Sequence, residues 1–158
     1  MTAPPPVPRG DELRARLRAV RQQRTLSFER VAALTGIAKS SILAIEGGES
    51  RNVYLDQVVA LAQAFDVPFL ALALGWKGKR IPSGFVVVDV ERLHDHVRAC
   101  IRRERGALGT PALAERAGME QSTLVRWESG EYRRIDLLRL YRLAEALDAD
   151  LVSWLTVS

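Results

Sequence analysis

An internal repeat constrains this chain more than any other feature. Shifted by 82 residues against itself, Val31–Leu70 lies on Leu113–Val152 without a gap, and 12 of the 40 paired positions are identical. Among them are Ala32/Ala114, Gly36/Gly118, Ser40/Ser122, Glu46/Glu128, Gly48/Gly130, Arg51/Arg133, Leu61/Leu143 and Asp66/Asp148. Most other pairs exchange one apolar residue for another, as in Ile42/Leu124, Ile45/Trp127 and Phe65/Leu147. A repeat of this kind means that one folding unit occurs twice. A unit of about 65 residues can bury a small core of its own and little more. The expected organisation is a disordered tail at 1–10, a first unit at 11–75, a joint at 76–90 and a second unit at 91–158.

Each unit reads as a set of short helices. In Asp11–Gln23, Leu13, Leu17 and Val20 fall at i, i+4 and i+7, one face of a helix. Ser27 can cap a second helix, with Glu29 favoured in its first turn by the dipole, and Gly36 can end it in a left-handed turn. A third helix covers Lys39–Glu46 and stops at Gly47-Gly48, a fourth covers Leu55–Phe65, and a fifth covers Phe69–Leu74. In the second unit Leu93, Val97 and Cys100/Ile101 mark the first helix. Thr110 is expected to cap the second, with Pro111 at its first position. That helix is expected one residue out of step with its counterpart. Gln121–Glu128, Leu137–Leu147 and Leu151–Thr156 follow. Between the units, Trp76–Gly84 is a basic, Gly- and Pro-broken loop, while Phe85-Val86-Val87-Val88-Asp89-Val90 reads as a short β-strand. Such a strand needs a partner. Either the same strand of a second chain supplies it, giving a homodimer, or the segment packs on a helix.

A small residue at Ala32, Gly36 four residues later and apolar residues at 42 and 45 form a helix-turn-helix spacing. With Leu26-Ser27 before it and Glu46-Gly47-Gly48 after it, the unit resembles the phage-repressor-like (Xre/Cro-type) helix-turn-helix family. Leu113-Ala114-Glu115-Arg116-Ala117-Gly118 through Trp127-Glu128-Ser129-Gly130 matches at least as well. The resemblance implies an all-α fold of two tandem five-helix units, with the third helix of each as the DNA reader. It implies that Lys39, Ser40, Ser41 and Ala44 in unit 1, and Gln121, Ser122, Thr123 and Arg126 in unit 2, meet base edges or nearby phosphates. Arg51, Asn52, Arg133 and Arg134 stand where the family often binds phosphate, and Thr110 at its helix start can do the same. Gln and Arg can bond adenine and guanine edges bidentately, whereas Ala44 can touch only a thymine methyl, so unit 2 is expected to read more sequence. Arg21 and Glu46 match a family ion pair that orients the third helix, and Glu128 is expected to pair likewise with Arg102 or Arg103.

Composition narrows the alternatives. The net charge is +4, with 12 basic and 7 acidic residues in 1–80 against 11 and 12 in 81–158, so the basic excess lies in the first half. One cysteine excludes an intrachain disulfide and a thiolate-rich zinc site. No cofactor, metal site or catalytic group is expected. His94 and His96 lie two apart and so face different ways on a helix, and Cys100, which shares a face with His96, reads as a core residue. Trp76, Trp127 and Trp154 read as packing residues. The apolar run Val67–Trp76 is too short for a membrane span, and the start Met1–Pro8 has no signal-peptide pattern, so a cytoplasmic, nucleoid-associated protein is expected. Double-stranded DNA is the expected partner. A 15-residue joint, at most about 50 Å long, can put both third helices on successive major grooves about 34 Å apart. A chain of this kind would act as its own pseudo-dimer on an asymmetric site. The alternative is a protein-interaction or antitoxin-like module that keeps the fold and has an unknown protein partner.

Overall fold

A computed structural model describes residues 7–76, 78 and 80–157. The described residues form ten helices, in two sets of five. The first set is α1 (Gly10–Gln23), α2 (Phe28–Thr35), α3 (Lys39–Gly47), α4 (Leu55–Phe65) and α5 (Phe69–Leu74). The second is α6 (Val90–Arg105), α7 (Thr110–Ala117), α8 (Gln121–Ser129), α9 (Leu137–Ala146) and α10 (Leu151–Leu155). The fold is all-α, and the described residues contain no strand.

Local chemistry explains the boundaries. The Ser27 hydroxyl accepts from the Arg30 N–H at 3.1 Å, and the Asp89 carboxylate from the Arg92 N–H at 3.1 Å, each satisfying an orphan donor of a helix start. Gly36 and Gly118 end α2 and α7 with φ of 75° and 66°, the left-handed turn that lets the third helix swing across the second. A side chain there would meet no neighbouring atom, so glycine answers the backbone angle alone. In both units the apolar stripes meet around the first, fourth and fifth helices, where Leu13, Leu17, Phe65, Leu72, Ile101, Leu140 and Trp154 are buried.

Three expectations need correction. α7 is in register with α2, since both of its ends lie 82 residues on. The shift between the copies sits instead at the end of the first helix, since α1 runs two residues past Arg21 while α6 ends at Arg105, so that Arg21 reaches the Leu26 carbonyl and Arg105 that of Leu108. Gly109, not Thr110, occupies the cap position of α7, and it offers no side-chain bond. Residues 85–89 form no strand, and Val90 already belongs to α6. The residues just before them are bonded to unit 1 instead. Gly84 N–H donates to the Asp66 carbonyl at 3.0 Å and Arg24 Nη2 to that of Pro82 at 3.0 Å. β-Branched residues need a paired edge to become a strand, and no edge lies alongside. Val86 and Val87 are left 79% and 78% exposed.

The joint does not hold two separate bodies apart, because the units dock on each other. Leu55 N–H donates to the Ile135 carbonyl at 2.9 Å, and Leu137 N–H to the Val53 carbonyl at 2.7 Å, so that Tyr54 and Asp136 face each other in an antiparallel bridge. Residues 53, 54 and 55 are the repeat equivalents of 135, 136 and 137. The contact is therefore isologous, the kind made by a two-fold dimer, but built within one chain. α4 also packs on α6, α5 packs on its equivalent α10, and the Tyr141 hydroxyl donates to the Ala73 carbonyl across the boundary.

Candidate nucleic-acid interface

The third helices, α3 and α8, are fixed from below by arginines of α1 and α6. A helix C-terminus exposes unsatisfied carbonyls and partial negative charge. Arg14 donates to the Ile45 and Ser50 carbonyls at 2.5 and 2.6 Å, and Arg18 to that of Glu46 at 3.1 Å. In the second unit Arg98 donates to the Trp127 and Tyr132 carbonyls, both at 2.9 Å, and Arg102 to that of Glu128 at 3.0 Å. Arg21 Nε and Nη2 grip the two Glu46 carboxylate oxygens at 2.8 and 3.1 Å, with the guanidinium stacked 4.0 Å over the Phe28 ring.

The partner of Glu128 is neither Arg102 nor Arg103. Arg105 Nε lies 2.8 Å from its carboxylate. The first helices are offset by 84 residues, not 82, because α1 continues two residues past Arg21 whereas α6 ends at Arg105. The signal was present in the sequence. Arginines at 14, 18 and 21 recur with the same spacing at 98, 102 and 105.

The outward faces of α3 and α8 carry the residues expected to meet DNA. Lys39, Ser40, Gln121, Ser122 and Arg126 are exposed, while Ser41, Ala44 and Thr123 are half-buried. The Lys39 ammonium lies 2.6 Å from the Glu29 carboxylate. That hydrogen bond holds the Glu29 carboxyl below its ordinary pKa. Arg126 Nη1 donates to the Tyr132 hydroxyl at 2.6 Å, which steers its guanidinium along the surface of α8. Two outward residues went unremarked in the sequence reading: Leu43 and Val125, equivalent in the repeat, are 41% and 46% exposed.

The segments after the third helices divide. Arg51 and Arg133 are exposed, and Thr110 is half-buried at the start of α7. Asn52 and Arg134, equivalent in the repeat, are drawn into the contact between the units. Arg139 Nη1 donates to Asn52 Oδ1, and Arg134 Nε lies 3.1 Å from the Asp56 carboxylate with its guanidinium 3.9 Å over the Tyr54 ring. This contact lies between the two third helices. Tyr54 and Arg134 border one groove with Ser40, Ser41 and Ala44 of α3, and another with Thr123 and Trp127 of α8.

Beneath this contact, Asp136 is 2% exposed. Burial pushes its carboxyl pKa up, and the N–H groups of Val53, Arg139 and Leu138 hold it back. His94 of α6 is buried with Nε2 unpartnered among the described residues, and burial lowers its pKa. His96 Nε2 lies 2.9 Å from the Ser153 carbonyl and 3.5 Å from the Cys100 thiol. That thiol is buried, and burial raises its pKa, so it stays protonated as a core group. Among the described residues, no group of three or more His, Cys, Asp or Glu side chains could hold a metal ion, and no helix is long and apolar enough to cross a membrane.

A family model described as a helix-turn-helix domain matches residues 12–73, and a second, described as helix-turn-helix, matches residues 101–154. No curated protein and no solved structure matches the chain.

Proposed function

Because the chain belongs to the Xre/Cro-type helix-turn-helix family, with two DNA-binding domains in tandem, we propose that it is a sequence-specific regulator, acting as a repressor, that binds one operator as a built-in pseudo-dimer. The observation that carries this reading is the isologous bridge at Tyr54 and Asp136, flanked by the grooves of both third helices. Two-fold helix-turn-helix dimers read half-sites about 34 Å apart on one face of the duplex. Here one chain supplies both halves, so no association step precedes DNA binding. α3 and α8 enter successive major grooves, and Arg51 and Arg133 meet the flanking phosphates. Asn52 and Arg134 serve chiefly to hold the halves in register.

The two heads differ chemically. Gln121 and Arg126 offer bidentate donors to adenine and guanine, whereas Lys39 spends part of its charge on Glu29. The operator is therefore asymmetric, with its more restrictive half under α8. The protein works in the cytoplasm, on the nucleoid. Where two chains associate, they do so through the exposed Phe85–Val87, and Val86→Asp then restores the mass of a single chain.

Selection from a randomised duplex pool tests the reading. An enriched motif of two unlike blocks about one turn apart supports it. Arg126→Ala should then relax one block by about 1–3 kcal/mol of discrimination. Absence of any enriched sequence, even at low salt, refutes it and favours the protein-interaction module.

A further inference from the structure

The third helices carry a feature that polar readout does not use. Leu43 and Val125 are 41% and 46% exposed on the outward faces of α3 and α8. Their neighbours on those faces, three and four residues before them on the helix, are Ser40 and Lys39 in one unit, and Ser122 and Gln121 in the other. The copies have diverged at several positions nearby, Lys39 against Gln121, Ala44 against Arg126 and Leu34 against Arg116. Both keep a branched aliphatic at this one. Leu34, the other exposed leucine of unit 1, has no apolar equivalent, so general surface hydrophobicity does not account for the pair. The core does not need either side chain, since Ile42, Ile45, Leu124 and Trp127 already supply the buried faces.

We propose that Leu43 and Val125 are specificity-determining residues that pack on thymine C5-methyl groups in the two half-sites. The inference rests on the DNA-reading function given above. The thymine methyl is the one apolar group that base pairs present in the major groove. An aliphatic side chain on a helix inserted there recognises it by removing both surfaces from water. This gives α3, whose polar readers are short, its own means of selecting sequence. Its half-site is marked by the thymine met by Leu43. Under α8 the thymine met by Val125 lies beside the bases bonded by Gln121 and Arg126.

The test uses the full chain and the operator enriched by selection, with each thymine replaced in turn by deoxyuridine. This deletes one methyl and leaves the pairing intact. Burying one methylene-sized group is worth about fourfold in affinity. The expected result is about a fourfold weakening at one or two thymines in each half-site. Leu43→Ala should abolish that sensitivity only under α3, and Val125→Ala only under α8. Both side chains are exposed, so both variants should keep the wild-type melting temperature, and the scan on the unaltered protein needs no variant. Tight, specific binding that ignores every methyl overturns this inference and leaves the DNA-reading function standing, as does methyl sensitivity that survives both substitutions. Failure to enrich any duplex overturns both.

Discussion

Asp136→Ala is the sharpest test of the idea that the two units are locked by their shared bridge. The carboxylate Oδ1 accepts from the Val53 N–H of the other unit at 2.7 Å and from the Leu138 N–H at 3.3 Å, and Oδ2 accepts from the Arg139 N–H at 3.1 Å. Losing the cap of α9 costs about 1 kcal/mol. Stranding the Val53 N–H in a buried site costs about 2 kcal/mol more. The Asp136–Arg139 ion pair adds little, because Arg139 remains partly exposed to solvent. Relief from holding a carboxylate in a buried site offsets part of the loss. The net expectation is a destabilisation of about 2–3 kcal/mol. At a urea dependence of about 2 kcal/mol/M, the unfolding midpoint falls by about 1–1.5 M. Tyr54→Ala, at the equivalent position, removes mainly the stacking under Arg134 and should cost about 1 kcal/mol. A loss below about 0.5 kcal/mol for Asp136→Ala would refute the reasoning, because a buried cross-unit acceptor cannot be removed so cheaply.

Two further outcomes follow from the same geometry. Arg105→Met should cost about 2 kcal/mol in urea unfolding, because it leaves the largely buried Glu128 carboxylate without its cation, whereas Arg103→Met should stay within about 0.5 kcal/mol. Equal effects would return the orienting role to Arg103. The pKa of His94 is held by burial below its ordinary value of 6.5, so the unfolded chain takes up its proton first as pH falls. The stability this group contributes is complete above pH 6.5 and declines as pH falls from there through the lowered folded value. Urea midpoints measured from about pH 8 down to about pH 5 should fall more steeply in the wild type than in His94→Leu, and parallel profiles would contradict this assignment.

Much of the architecture was legible in the sequence because it is local. Helical periodicity, Ser27 as a cap, and Gly36 and Gly118 as left-handed turns act over a few residues, and the repeat doubled each signal. The Arg21–Glu46 contact lay within reach because a known fold places its partners. Its counterpart slipped by two residues, since the repeat was aligned through α7–α9 and its register does not extend back into α6, which ends at the equivalent of Arg21 while α1 runs two residues further. The strand expected at Phe85–Val90 failed for the opposite reason. β-Propensity describes what a segment does beside a paired edge, and the fold supplies none.

The sequence by itself therefore determined that there are two similar units, which faces of their helices are apolar, and which helix of each carries the outward polar set. Only the tertiary structure decided how the units meet. Val53–Leu55 and Ile135–Leu137 are short and unremarkable in composition, and nothing local marks them as a shared bridge. Their pairing depends on backbone groups about 80 residues apart, which no local signal brings together. The same docking engaged Asn52 with Arg139, and Arg134 with Asp56 and Tyr54, across the boundary between the units. It left Leu43 and Val125 outward, where exposure, a property of the packed chain and not of residue type, makes them visible.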